Sequence, residues 1–353
     1  MNELRLIAQQ FAKIIINISP LGNGLINDTF LVTTENTYFV LQRINPKVFR
    51  KPEQIMDNLI KINWHIRQKT NTALELKIPE LLKTITNDAY YLDDQGDCWR
   101  ALDYIEDSVS LDVLTSVRQA EQTGFALGYF HRLVNNLDPL FLHDTLPGFH
   151  IAPAYLSHYQ HIIAQAPEQT DSQSLYCVNF ISKFQHLASA LETAKEKGLL
   201  PLRVIHGDPK LNNFLFDQYG KKIIGLIDLD TVKPGLVHYD IGDCLRSCCH
   251  KLDTNKFDLE LCSAILKSYL SEVSPFFSED DYQFLFAAIQ LIPFELGLRF
   301  YTDYLEGNSY FKVTDPKENL RRAVNQFELC QNITGQEATI NVLIDKIKIE
   351  CKS

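Results

Sequence analysis

His206-Gly207-Asp208-Pro209-Lys210-Leu211-Asn212-Asn213 and, one strand further on, Ile227-Asp228-Leu229-Asp230 are the stretches that decide how this chain is read. They set out a carboxylate, a lysine two residues later, an amide five residues after the carboxylate, and a second acid about one hairpin on. A phosphoryl-transfer site of the kinase type needs groups of these kinds at these offsets. Asp208 is placed to accept a proton from an attacking hydroxyl, and Lys210 to offset charge on the moving phosphoryl group. The amide oxygen of Asn213 and the carboxylate of Asp228 suit Mg2+, a hard cation that takes oxygen ligands and keeps some of its water.

Each piece is ordinary when taken singly. His-Gly-Asp occurs in many turns, where the Asp caps a helix or bonds to nearby backbone. The surrounding pattern makes the combination specific. Residues 202–205 read as a short strand ending at His206, residues 213–216 as a second, and residues 222–227 as a third ending on Asp228. Every polar group is thus delivered at a strand end, where loops on a rigid scaffold carry function.

Composition narrows the class. With 353 residues and 45% hydrophobic content the chain can bury a large core and divide into two lobes. A formal charge of -10, with no long Lys/Arg run, disfavours a nucleic-acid partner. Eight cysteines are scattered without a C-x-x-C pair, which predicts reduced thiols serving as small apolar residues, the neighbours Cys248 and Cys249 included. The apolar stretch at 11–18 is interrupted by Lys13, and no small-residue cleavage site follows. It predicts neither a signal peptide nor a membrane span, so the expected location is cytoplasmic and the sequons at Asn27 and Asn332 are expected to be chance.

Along the chain the pattern predicts an α+β protein of two lobes, divided at residues 1–105 and 106–353. The first lobe reads as a small sheet with one helix. Residues 21–32 form strand, turn, strand; residues 38–44 and 99–105 are further strands; Pro52 opens a helix with Ile55, Leu59, Ile62 and Ile66 on one side. Beyond residue 106 the periodicity is helical, over 117–134, 176–196, 256–272, 281–305 and 317–331. The only sheet signal there is the 202–228 segment. A small β-rich N-terminal lobe joined to a larger, mainly helical C-terminal lobe is the protein-kinase-like architecture. Its hinge would lie at Asp103-Tyr104-Ile105, where backbone groups can bond an adenine edge.

In that architecture the turn Gly22-Asn23-Gly24 lets backbone approach the ATP phosphates, since glycine tolerates positive φ and has no side chain in the way. The lysine that usually reaches the phosphates from the following strand has no counterpart. Gln42 occupies its place and Arg43 is the adjacent charge, so both are candidates. His131 is expected to be a helix-face histidine with a structural hydrogen bond. Asp240 and Asp243, in His238-Tyr239-Asp240-Ile241-Gly242-Asp243, are expected to orient the catalytic loop.

The catalytic segment resembles the aminoglycoside phosphotransferase and choline kinase-like superfamily of small-molecule kinases. A finer resemblance is to N-acetylhexosamine 1-kinases. It is carried by Gly24-Leu25-Ile26-Asn27-Asp28-Thr29, Val40-Leu41-Gln42-Arg43-Ile44-Asn45 and Ile227-Asp228-Leu229-Asp230-Thr231-Val232-Lys233-Pro234-Gly235. Tyr239-Asp240-Ile241-Gly242-Asp243-Cys244-Leu245-Arg246 and Leu298-Arg299-Phe300-Tyr301-Thr302-Asp303-Tyr304-Leu305 extend it. The resemblance implies ATP- and Mg2+-dependent phosphorylation of the anomeric hydroxyl of GlcNAc or GalNAc, with Asp208 deprotonating that hydroxyl. It implies Asp230 as an extra metal ligand or sugar contact, and a sugar pocket near Leu25, where the family often has histidine. Arg299 is expected to donate to sugar oxygens through its rigid fork. Asp303, with Glu306 and Tyr310, keeps open an aminoglycoside, choline or homoserine type of acceptor, since a cationic substrate needs acids or an aromatic cage. A non-catalytic nucleotide- or sugar-binding relic is the remaining alternative, and retention of Asp208, Asn213 and Asp228 together speaks against it.

Overall fold

The computed structural model describes residues 2–22, 26–69 and 76–352. The N-terminal region begins with α1 (Asn2–Ala8), β1 (Asn17–Pro20), β2 (Asp28–Thr33) and β3 (Tyr38–Arg43). Next come α2 (Pro52–Lys69), β4 (Leu81–Leu82), β5 (Tyr91–Leu92) and β6 (Cys98–Asp103). The strands form one antiparallel sheet in the order β1-β2-β3-β6-β4, with β5 also paired to β6.

Side chains alternate between the two faces of a strand. Phe39 and Leu41 of β3, with Trp99 and Ala101 of β6, pack on the outer face under Ile7, Ala8 and Ile15. Gln42 and Arg100 are register partners, so both lie on the opposite, inner face. That face looks toward the C-terminal part, where Leu102 joins the main core. Helix α2 buries Leu59, Ile62 and Ile66 in the same core, as its apolar spacing predicts.

The larger part is mostly helical. In chain order it holds β7 (Ser108–Ser110), α3 (Val117–Val134), α4 (Ala152–Ile163), α5 (Ser172–Phe184), α6 (Ala190–Glu196), β8 (Arg203–Ile205), β9 (Phe214–Asp217), β10 (Ile223–Leu226) and β11 (Lys233–Gly235). It continues through α7 (Val237–Cys248), β12 (His250–Lys251), β13 (Lys256–Phe257), α8 (Leu259–Val273), α9 (Glu279–Gln283), α10 (Leu285–Leu305), α11 (Glu318–Thr334) and α12 (Glu337–Lys352). This is the expected α+β, protein-kinase-like arrangement. Helix α3 lies close against α8 because Gly124 presents no side chain: a Cβ there would stand 2.1 Å from the carbonyl oxygen of Ile265.

Several elements differ from the sequence expectation. Sheet in the second half extends beyond 202–228: β7 pairs with β9, β11 with β8, and β12 with β13. Strands of two or three residues are too short to show a period of two. The helix expected from 256 starts at Leu259, where Asp258 caps it by accepting from the backbone of Glu260 and Leu261. The helix expected over 176–196 is two helices, α5 and α6, joined by a 3-10 turn. Among the described residues no helix is long and apolar enough to cross a membrane. The cysteines are free thiols, all buried except the half-buried Cys351, and Cys248 and Cys249 fill core space.

Candidate active site

The loop from His206 to Asn213 leaves the end of β8 and is fixed from behind. Gly207 has φ +88°, and a Cβ there would meet the Thr231 carbonyl oxygen at 2.5 Å, so the turn needs glycine on two counts. The Asp240 carboxylate, in the first turn of α7, accepts from the backbone N–H of His206 at 2.6 Å and of Gly207 at 2.8 Å. His131 Nε2 lies 2.8 Å from the same carboxylate, and its Nδ1 lies 3.0 Å from the Tyr269 hydroxyl. Burial pushes the Asp240 carboxyl up, but the His131 and His206 contacts outweigh it and hold the pKa below the ordinary value. His131 has the structural role its sequence context suggests. Of the two acids expected to orient the loop, Asp240 does so, while Asp243 accepts from Arg246 Nε at 2.8 Å.

A second brace comes from His150, which has φ +66° and stacks on Tyr239 at 5.1 Å. Its Nε2 is 2.7 Å from the Gly207 carbonyl oxygen and its Nδ1 is 3.1 Å from Glu295 Oε1. Two acceptors on one ring favour the doubly protonated imidazolium. Burial opposes that charge, but Glu295 outweighs it, and the pKa is raised.

On this frame Asp208, Lys210, Asn213 and Asp228 come together. Lys210 Nζ is 2.5 Å from Asp208 Oδ2 and 3.9 Å from Asp228 Oδ2. Burial works against the ammonium, but those two carboxylates hold its pKa above the usual lysine value. Asn213 Nδ2 donates to the Asp208 carbonyl at 2.7 Å, and its amide oxygen accepts from nothing among the described residues. Asp228 stands at a left-handed position, φ 67° and ψ 49°, which aspartate tolerates better than most residues. Its desolvation, reinforced by Asp230 and Asp208 and opposed by Lys210, pushes its carboxyl above the ordinary range. A cation beside Asp228 relieves that like-charge stress.

Asp230 is placed differently from its expected role as a metal ligand. Both its oxygens are engaged: Oδ1 by Arg100 Nη2 at 2.5 Å and Oδ2 by Asn27 Nδ2 at 2.8 Å. The Arg100–Asp230 pair is buried at both ends. Gln42 faces the same cleft, donating to Thr29 Oγ1 and accepting two bonds from Arg100. Arg43, the other candidate for the phosphate cation, lies on the opposite face of β3. It pairs with Asp28 and Asp97 and sits 5.8 Å from the centre of the Trp99 ring, because successive strand residues alternate sides. Gly22 has the positive φ its turn requires, at 70°; Gly24 and Leu25 lie outside the described residues. At the expected hinge, the Asp103 carboxylate accepts from the Glu80 N–H at 2.6 Å and Ile105 is buried. The backbone N–H groups of Tyr104 and Ile105 donate to nothing among the described residues.

The late residues divide likewise. Asp303 is buried and spent on its own loop, accepting from the backbone of Tyr310 and Phe311 and from Asn319 Nδ2. That loop sets Tyr310 and Phe311 against Arg299. The Arg299 guanidinium lies 5.1 Å from the Phe149 ring, 5.0 Å from Tyr155, 5.8 Å from Tyr310 and 5.5 Å from Phe311. It donates to no acceptor among the described residues. Burial opposes its charge, while Tyr155, Glu295, Tyr310 and Asp208 hold its pKa above the ordinary arginine value. Sequence reasoning missed Arg100, Asn27, His150 and Glu295. The visible signals were faint: an arginine between the apolar Trp99 and Ala101 in a strand, and a glutamate one helical turn before Arg299.

A bilobal kinase-type fold with these polar groups at its strand ends defines a class, and comparison with known proteins gives the family. The model of the phosphotransferase enzyme family matches residues 17–271, well over half the chain, and the chain belongs to that family. It is a kinase-like small-molecule phosphotransferase. Among solved structures it is similar to an aminoglycoside phosphotransferase from Alicyclobacillus acidocaldarius, at 14% identity and a TM-score of 0.63, covering 95% of this chain and 96% of that one. It is also similar to a choline kinase from Cryptosporidium parvum, at 13% identity and a TM-score of 0.61, covering 98% and 99%. A third is an amicoumacin kinase in complex with AMP-PNP, Ca2+ and Ami, at 14% identity and a TM-score of 0.61, covering 93% and 92%. At such identities the likeness is one of fold.

Proposed function

We infer that this phosphotransferase moves the γ-phosphoryl group of ATP, with Mg2+, to the anomeric hydroxyl of an N-acetylhexosamine, giving the sugar 1-phosphate. Residues 1–105 bind the nucleotide and residues 106–353 carry catalysis and the acceptor. A cytoplasmic setting, where ATP and reduced thiols coexist, belongs to the same reading.

The observation that carries the acceptor is Arg299. The aromatic cage that a quaternary ammonium or a cationic antibiotic needs is occupied by the chain's own guanidinium. Asp303 and Glu306, the acids at hand for drawing such a substrate, are taken by the 309–311 loop and by His158. A guanidinium with free donors beside aromatic faces suits a neutral, hydroxyl-rich acceptor: the rings cover its C–H faces and the fork bonds its oxygens. The resemblance in 227–235 and 298–305 narrows that class to an N-acetylhexosamine.

The chemistry follows from positions already given. Asp208 receives the proton of the sugar O1–H, which is more acidic than an ordinary sugar hydroxyl, so a carboxylate base suffices. The sugar oxygen bonds to the γ-phosphorus, the bond to the bridging β,γ-oxygen breaks, and ADP departs. Lys210, already paired to Asp208 and near Asp228, offsets charge on the group in flight. The residues fit a metal: the amide oxygen of Asn213 is uncommitted and Asp228 is a carboxylate under like-charge stress. Among the described residues no three His, Cys, Asp or Glu side chains cluster as a metal site. One carboxylate and one amide, completed by phosphate oxygens and water, is the type of set that suits Mg2+. When bound, the ion neutralises phosphate charge.

The test is the product. An ATP-consumption screen over sugars and amines finds the acceptor, and phosphorus NMR of the product is expected to show coupling to the anomeric proton, with loss of the reducing end. A product that still reduces, or turnover with amines alone, overturns the sugar reading.

A further inference from the structure

Strand β6 carries Arg100 amid otherwise apolar neighbours, and its side chain is 2% exposed. Removing a guanidinium from water is costly. A buried pair of this kind is often no more stable than well-packed apolar residues of the same volume. A purely structural job in the sheet core would be done as well by leucine, so the charge calls for a reason.

Geometry supplies it. In kinase-type sites a cation on the strand after the glycine turn meets the nucleotide phosphates. Here that strand is β3, and its inward position holds Gln42, which is neutral. Directly across the ladder, on the same face, stands Arg100. Gln42 Oε1 accepts from Arg100 Nε at 3.0 Å and from Nη2 at 2.8 Å, so the amide acts as a strut that aims the guanidinium. The fork then reaches Asp230 Oδ1 at 2.5 Å, two residues beyond Asp228. The other oxygen of Asp230 is held by Asn27, at the end of the segment that carries the Gly22 turn. Arg100 is therefore bracketed by Gln42 of β3 and by Asp230, itself held by Asn27, so the guanidinium stands between the inner face of the sheet and the Asp228–Asp230 segment. Arg43, the only other arginine or lysine on β3 or β6, faces the outer side.

We propose that Arg100 supplies the small-lobe cation for the α- and β-phosphates of the nucleotide, the charge having moved one strand over from β3 to β6. Asp230 is its counter-ion and Gln42 its support. Gln42 explains why no lysine is needed at its own position: a cation there would oppose the guanidinium directly. The proposal rests on the nucleotide reading of the cleft and is independent of which acceptor the enzyme takes.

The experiment is calorimetry on the full chain with MgADP and, separately, with adenosine. Arg100→Met is expected to weaken MgADP by roughly 10- to 100-fold, the range of one charge-assisted contact. Adenosine affinity should stay within about twofold, since that ligand has no phosphate. The double variant Gln42→Lys with Arg100→Gln, which returns the charge to β3, is expected to recover most of the preference for ADP over adenosine. Equal weakening of both ligands by Arg100→Met would show that Arg100 only shapes the cleft, and unchanged MgADP binding would overturn the proposal outright. Should Arg100→Met not fold, the double variant decides: retained preference for ADP supports the proposal and a collapsed preference overturns it. A parent chain that binds neither ligand would instead sink the nucleotide reading of the cleft.

Discussion

His150 Nε2 lies 2.7 Å from the carbonyl oxygen of Gly207, the residue immediately before Asp208. The other ring nitrogen faces Glu295, four residues before Arg299 on α10. One imidazolium therefore ties α10 to the backbone that positions Asp208.

This makes stability pH-dependent in a definite direction. Burial lowers the affinity of His150 for its proton, but Glu295 and then Asp243 more than offset it, so the folded pKa lies above the ordinary histidine value. A group raised on folding contributes stability that is complete below its unfolded pKa and is lost as pH rises through its folded pKa. Melting temperature should therefore fall as pH is taken upward from about the unfolded histidine value of 6.5. His150→Gln should flatten that slope and cost about 3 kcal/mol, because Glu295 is left buried without its partner. A variant that melts with the parent's pH slope would remove His150 from this role.

Asp208→Asn keeps the shape of the loop and loses the proton acceptor. Turnover should drop by roughly a hundred to ten thousand-fold while the affinity for ADP, measured by calorimetry, stays near that of the parent. Because Lys210 bonds Asp208 at 2.5 Å, the variant also loses one of the ammonium's two counter-charges. Activity within about tenfold of the parent would rule out Asp208 as general base.

The loop that carries these residues was legible because its chemistry is local. Asp208, Lys210 and Asn213 lie within six residues, and strand ends frame them. Arg100 was not legible. Its meaning arises from register: only the pairing of Gln42 with Arg100 reveals that the two side chains share a face, and a strand spacing of 58 residues hides that in the sequence. The same alternation turned Arg43 outward, which no inspection of adjacent residues distinguishes without knowing which face meets the cleft. His150 was hidden for another reason. It sits in an irregular loop at positive φ, where neither a helical nor a strand period marks it, and its partners are 57 and 145 residues away. Asp230 read as a ligand by its place beside Asp228, yet a buried arginine and Asn27 claim its oxygens first.

Asp228→Ala should cripple transfer and steepen the dependence on magnesium, since the site loses charge as well as geometry. The variant relieves like-charge crowding with Asp208 and Asp230, while alanine at this left-handed backbone position costs about 1 kcal/mol in the opposite direction. A magnesium titration of initial rates is the measurement. Coincident titration curves for variant and parent would take Asp228 out of the metal set.

Arg299→Ala tests the acceptor side most directly. The guanidinium touches four aromatic rings and carries no paired carboxylate among the described residues, so removing it breaks no internal ion pair. The cost should fall on the acceptor: KM for the sugar is expected to rise by roughly 10- to 100-fold, as for loss of charge-assisted hydrogen bonds, with KM for ATP little changed. Arg299→Lys should recover only part of this, because a single ammonium cannot reproduce the planar fork or its stacking on Phe149 and Tyr155. The variant also opens the aromatic cage that the arginine now fills. If the cage alone excludes cations, Arg299→Ala should gain measurable binding of a quaternary amine such as choline while losing the sugar. A rise confined to the KM for ATP would move Arg299 out of the acceptor pocket and, with it, the argument for a neutral substrate.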